Sequence, residues 1–337
     1  MSNAPTLVER FLAGEVRALS RLLSLVEDEH PQAGSLLARV YARGAHAYRV
    51  GITGAPGAGK STLVNHLAAH LMGEGADVAV LAVDPTSPFS GGALLGDRIR
   101  FDYSAPRPGQ KPAFFRSAAS RGQTGGLARG TEEMAALLEA FGYGRLLIES
   151  VGVGQVGLDI AQAADTIVVV LVPESGDDIQ AEKAGLLEIA DIVVVNKADR
   201  PGAETLQHHL EDAVHHRQLA RLAGWAPPVL LTRGQSGAGV PELAQAIADH
   251  RGFRLGAEGQ AGIRKARLRH VLLNLLREEL RTATEAAARD GTLPDGRALE
   301  PLLEAVLRGE EDPFALARDA VRRLFDAARR PPPGKGR

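Results

Sequence analysis

The stretch Gly54-Ala55-Pro56-Gly57-Ala58-Gly59-Lys60-Ser61 decides how the rest of the chain is read. It fits G-x-x-x-x-G-K-[ST], the P-loop pattern. Tyr48 to Thr53 before it reads as a short buried strand, and Ser61 to Leu71 after it as an amphipathic helix. Strand, glycine loop, helix is the context the pattern needs. Glycines let the backbone turn tightly and approach phosphate oxygens. Successive N–H groups at a helix start offer partial positive charge to an anion. Lys60 is placed to reach the β- and γ-phosphates, Ser61 to hold Mg²⁺, and Thr62 to meet the α-phosphate. The alternative is a glycine turn that only joins strand to helix. The Lys-Ser pair in register argues against it.

Outward from this stretch, strands alternate with helices, which predicts a mainly parallel sheet flanked by helices. Residues 77–83 form a strand ending at Asp84, and residues 145–148 one ending at Glu149. Thr166 to Val172 is apolar throughout, so it belongs inside the sheet, covered on both faces. Residues 191–195 lead to Asn196, and Val229-Leu230-Leu231 to Arg233. Ligands of such sheets bind beyond the carboxyl ends of the strands. Polar residues recurring at those ends therefore point to a site rather than to packing. Residues 84–98 and 116–126 read as long loops over that rim.

Helices are expected on either side. One covers Thr6 to Val26 and a second Ser35 to Ala45. A glycine-rich linker covers residues 256–262, and a long amphipathic helix runs from Ile263 to about Arg289, with Leu268, Val271, Leu272, Leu275 and Leu276 on its apolar side. Two more follow after Pro294. The division is 1–46, an N-terminal helical extension; 47–255, the nucleotide domain; 256–330, a C-terminal helical dimerisation region; and 331–337, a disordered tail.

Composition narrows the classes. The 337 residues carry 39 basic and 41 acidic side chains, a balance that argues against bulk-charge binding of nucleic acid. With no cysteine, thiolate catalysis and Cys-based zinc sites are excluded. No apolar run is long enough to span a bilayer, so no membrane partner is expected and a cytoplasmic location is. Two His pairs, His208-His209 and His215-His216, sit on a predicted helix and read as a solvated face.

Asn196-Lys197-Ala198-Asp199 resembles the N-K-x-D guanine box of GTPases. A carboxylate at Asp199 can accept two hydrogen bonds from guanine N1–H and its exocyclic amine, donors that adenine does not present together. Glu149-Ser150-Val151-Gly152 stands where GTPases carry D-x-x-G, so Glu149 and Asp84 are paired carboxylates for Mg²⁺ and its waters.

Taken in order, Gly51 to Gly57, Ala82-Val83-Asp84-Pro85-Thr86-Ser87, Gly91-Gly92 with Gly96-Asp97-Arg98, Glu149 to Gln155, and Asn196 to Asp199 resemble the MeaB/MMAA (ArgK-type) family of P-loop G-protein chaperones. The resemblance spans roughly residues 5 to 285. It implies an α/β P-loop NTPase of the SIMIBI class that hydrolyses GTP to GDP, forms homodimers, and serves adenosylcobalamin-dependent acyl-CoA mutases, most often methylmalonyl-CoA mutase. Carried over, Lys60 and Ser61 serve phosphate and Mg²⁺, with Asp84, Asp97 and Glu149 around metal and attacking water. Gly176-Asp177-Asp178-Ile179-Gln180 and Lys183 match the family's third switch. Arg233-Gly234-Gln235 takes the place of its guanine-side loop, usually Ser-Ala or Ser-Gly. Other departures are Ala184 for a second lysine and Val156-Gly157 for Ser-Glu. A P-loop kinase acting on a transport protein or small molecule is the alternative, and a metal-insertion GTPase a third reading.

Overall fold

The computed structural model describes residues 6–28, 30–41, 47–84, 106–119, 130–150, 163–173, 185–220 and 224–329. Seven parallel strands form one sheet: β1 (Tyr48–Gly54), β2 (Val78–Asp84), β3 (Phe114–Ala119), β4 (Arg145–Ser150), β5 (Thr166–Leu171), β6 (Ile192–Val195) and β7 (Val229–Leu231). Their order is β3-β2-β4-β1-β5-β6-β7. Tyr48 pairs with Arg145 on one side of β1 and Val50 with Thr166 on the other.

Side chains alternate across the sheet, and the core divides accordingly. Val78, Val80, Leu147, Val168, Val170, Ile192 and Val194 face α4 (Lys60–Gly73) and the start of a long C-terminal helix, numbered α7 below. Their neighbours Ala79, Leu81, Leu146 and Ile148 face the other way, onto α5 (Thr131–Phe141) and the N-terminal helices. On that second face Ile167, Val169, Val193 and Val195 pack on α6 (Ala203–Ala220). Both faces being covered explains the unbroken apolar strands.

The N-terminal segment forms three helices: α1 (Leu7–Leu12), α2 (Val16–Glu27) and α3 (Ala33–Tyr41). The single helix expected over Thr6 to Val26 is thus divided. Its break falls at Ala13-Gly14, where Gly14 takes a φ of 85°. A capping box starts α1: Glu9 N–H donates to Thr6 Oγ1, and Thr6 N–H to Glu9 Oε2. Phe11 meets Phe141 edge-on at 5.3 Å, and Arg116 of β3 pairs with Glu27 of α2.

The helix α7 runs Val240–Arg289, followed by α8 (Leu299–Leu307) and α9 (Pro313–Arg329). The linker expected at residues 256–262 is helical instead. Only Gly259, at φ 68° and ψ 164°, leaves helical geometry, and there the helix kinks. Contacts divide the chain into two compact units, Met1–Arg267 and Leu268–Arg337. Within the second, Arg297 pairs with Asp295 and Asp319, tying the turn before α8 to α9.

A buried ion network holds the amino end of the sheet. Arg49 of β1 binds Glu132 and Glu139 of α5, each at 2.7 Å. Arg267 of α7 reaches Glu139 at 3.3 Å and Asp165 at 3.2 Å. Asp165 also accepts the Arg49 N–H at 2.8 Å.

Candidate active site at the carboxyl rim of the sheet

The loop after β1 turns sharply onto α4. Gly54, Gly57 and Gly59 take φ values of 144°, 74° and 85°. A Cβ on Gly54 would stand 2.0 Å from the Val170 carbonyl oxygen of β5, and one on Gly59 2.5 Å from Asn196 Nδ2. Only glycine fits either place. Gly59 caps α4, so the N–H groups of Lys60, Ser61 and Thr62 belong to a first turn that has no carbonyls of its own to bind. Pro56 and Gly57 are exposed at the loop's outer bend, while Ala58 is buried.

Lys60 is buried at 6% exposure and folds back over its own loop. Its Nζ donates to the Gly54 and Ala55 carbonyls at 2.8 and 2.9 Å. Burial holds its ammonium below the usual lysine range, and the Glu149 carboxylate pulls it part of the way back. A buried cation beside a row of N–H groups is a strong phosphate site. Ser61 Oγ donates to Glu149 Oε1 at 2.6 Å. Hydroxyl and carboxylate thus meet at the mouth of the loop. Behind them Ser150 Oγ donates to Thr53 Oγ1, joining β4 to β1.

Asp84 closes β2, two strands from β1 on the same rim. Its side chain lies outside the described residues, as do Asp97, Lys183 and the segments 151–162 and 174–184.

The second half of the site follows β6. Asn196 is 1% exposed and makes three side-chain bonds. Nδ2 donates to the Ala58 carbonyl at 2.8 Å, and Oδ1 accepts Thr232 Oγ1 and the Gly234 N–H, each at 3.0 Å. One amide therefore ties the phosphate loop to the loop after β7. Lys197 takes a left-handed φ of 57° and Ala198 N–H donates to the Thr232 carbonyl at 3.0 Å. Asp199 is exposed, its carboxylate without a protein partner among the described residues. Arg233 to Gly237 form a turn closed by Gly237 N–H on the Arg233 carbonyl, with Arg233 and Gln235 exposed and Gly234 buried against Asn196.

Lys60, Ser61 and Glu149 thus gather at one end, Lys197, Asp199 and Gly234 at the other, with Asn196 between. Thr232, whose hydroxyl holds Asn196, belongs to no motif in the sequence. A polar residue directly after an apolar strand was the available signal.

The sequence profile of the methylmalonyl-CoA mutase-associated GTPase MeaB matches residues 19–289. A Pyrococcus horikoshii protein named as a GTPase is 41% identical over 318 residues, covering 94% of this chain and 97% of its own. The mitochondrial methylmalonic aciduria type A homolog of Mus musculus is 32% identical over 331 residues, 88% of this chain and 79% of its own. Among solved structures, a crystal structure of a LAO/AO transport system kinase superposes with a TM-score of 0.66 at 26% identity, covering 98% of this chain and 100% of that one. The fold is that of a P-loop GTPase, which binds a guanine nucleotide and hydrolyses GTP. The chain belongs to the MeaB family of methylmalonyl-CoA mutase-associated GTPases.

Proposed function

We propose that this GTPase gates cofactor loading and protects or reactivates an adenosylcobalamin-dependent acyl-CoA mutase, methylmalonyl-CoA mutase or a near relative, in the cytoplasm. Family membership supports the partner. The observation that carries the nucleotide part is the Asn196 clamp, which ties the phosphate cradle to the loop after β7 and stands three residues before Asp199, a carboxylate suited to guanine. In this reading Lys60 neutralises the β- and γ-phosphates, and Asp199 reads the base while Lys197 lies along its plane.

The oxygen donors paired at Ser61 and Glu149 suit a hard cation such as Mg²⁺, and Asp84 and Asp97 belong to the same proposed set. The ion would supply charge neutralisation on the transferred phosphoryl group. Ser61 would hold that ion through its hydroxyl oxygen, and Glu149 would hold it directly or through a water.

A homodimer through the C-terminal region is part of the proposal. Leu272, Leu276 and Leu280 recur at helical spacing on α7 and are exposed, as are Leu307 of α8 and Phe314, Val321 and Phe325 of α9. Exposed apolar faces on three helices are what a second copy would cover. The domain reading stays with it: 47–255 as the G domain and 256–330 as the dimerising region.

Steady-state phosphate release with and without purified methylmalonyl-CoA mutase tests the reading. Slow basal release, accelerated by the mutase, is expected. Release unchanged by saturating mutase, with no complex in light scattering, removes the partner. A kinase, as in the name of the structural relative, would pass the phosphoryl group to its acceptor and release no free phosphate when that acceptor is absent.

A further inference from the structure

At the amino end of the sheet, opposite the nucleotide rim, lies a half-open cavity of about 50 Å³ lined by Tyr48, Asp165, Arg251, Gln260, Arg264 and Arg267. A water needs about 10–15 Å³ on this measure, so the cavity has room for a few waters or one small polyatomic ion. Its charges do not cancel. Arg267 is engaged by Asp165 and Glu139, and Asp165 also takes the Arg49 N–H. Arg251 and Arg264 have no hydrogen-bond or carboxylate partner among the described residues. Arg251 lies over the Tyr48 ring, 5.3 Å from its centroid, which orients the guanidinium without neutralising it. It also stands near enough to Arg145 that, after burial, its charge is the next force holding that guanidinium below its usual range.

Backbone geometry adds a second, independent pull on an anion. The helical ladder of α7 is interrupted at Gly259, and the run that restarts at Gln260 opens on this cavity. The first-turn N–H groups of a helical run lack carbonyls of their own and carry the positive end of its dipole. Arg251 precedes the kink and Arg264 follows it, so the two guanidinium groups and the restarted turn converge on one small space.

We propose that this cavity is a second ligand site, binding a small free oxyanion, a phosphate or a carboxylate, between Arg251, Arg264 and the turn at Gln260. The site is separate from the nucleotide rim, and its failure would leave the GTPase assignment intact. Bidentate Arg contacts to an oxyanion are among the strongest polar contacts available.

The test uses the full chain saturated with GDP and Mg²⁺, so that the P-loop is filled. Inorganic phosphate and succinate are titrated separately by calorimetry, at ionic strength matched with sodium chloride. Binding of one anion per chain is expected, weakened roughly tenfold or more in the Arg251→Ala, Arg264→Ala double variant. Unchanged GDP affinity in that variant shows that it is folded. Arg264→Lys should restore part of the binding. Phosphate without succinate assigns a tetrahedral ligand, and succinate without phosphate a carboxylate. No binding of either up to tens of millimolar, or equal binding by parent and double variant, overturns the proposal.

Discussion

Replacing Asn196 by Ala should weaken fold and nucleotide site together. The side chain is 1% exposed and makes bonds of 2.8, 3.0 and 3.0 Å to Ala58 O, Thr232 Oγ1 and Gly234 N–H. Alanine orphans all three partners. At about 1 kcal/mol net for each, the loss is about 3 kcal/mol, a large share of the ~5–15 kcal/mol that usually holds a domain. Asn196→Asp separates the two tethers. It keeps an acceptor for Thr232 and Gly234 but sets a carboxylate oxygen against the Ala58 carbonyl. Urea unfolding of the nucleotide-free protein reads the fold, and titration with a fluorescent GDP analogue reads the site. Both variants should bind GDP at least tenfold more weakly, because both release the P-loop. An Asn196→Ala protein that unfolds within about 0.5 kcal/mol of the parent and binds GDP equally would refute the clamp.

Asp199→Asn should lose GTP and gain xanthosine triphosphate, measured by calorimetry, with discrimination of roughly 10⁴-fold at stake. Lys60→Ala should abolish phosphate release, whereas Glu149→Ala should slow it while sparing much of the GDP affinity; parental turnover in Glu149→Ala would displace the metal reading. Lys183→Ala should keep the basal rate and lose stimulation by the mutase. For pH, His250 is buried and held down at about 4, so protonation favours the unfolded chain and stability falls as pH drops from about 6.5 towards 4. Asp191 is pushed up by burial to about 6, which acts the opposite way: its contribution, present at low pH, is lost as pH rises through 6. The two offset each other between about pH 4 and 6. Because Asp191 Oδ1 lies 3.5 Å from His250 Nε2, Asp191→Asn also takes away the carboxylate that favours the imidazolium, and the acid loss in urea titrations across that range should steepen.

Most of the sheet was legible because its strands are apolar runs ended by a polar residue. β3 was not. Its Arg116-Ser117-Ala118-Ala119 half reads as loop, and as the edge strand of the sheet it has less need of an apolar sequence. The segment 256–262 misled for another reason. Glycine costs a helix about 1 kcal/mol per residue, and three glycines there suggest a break. Tertiary anchors override that cost: Arg254 donates to the Asp165 carbonyl before the kink, and Arg267 binds Asp165 and Glu139 after it. Gly259 absorbs the misfit. In the site, motif spacing found Lys60, Ser61, Glu149, Asn196 and Asp199, since each sits at a strand end or loop fixed by pattern. Spacing is silent on which side chains bind each other, so the Ser61–Glu149 pair and the Thr232 support emerge only from geometry.

The ion network at the amino end of the sheet has a consequence for heat. Arg49, Arg267, Glu132, Glu139 and Asp165 are held largely out of water. Dehydrating such groups is costly at 25 °C, but the cost shrinks on warming, because the hydration of charge carries a strongly negative entropy. Hydrophobic burial gains nothing comparable. The strand starts of β1 and β5, laced to α5 and α7 by these five side chains, are therefore the part of the first unit whose grip relaxes least as temperature rises. Melting should begin in elements that the network does not reach, such as β7 and α6, and amide exchange at Arg49 should remain slow after theirs has become fast.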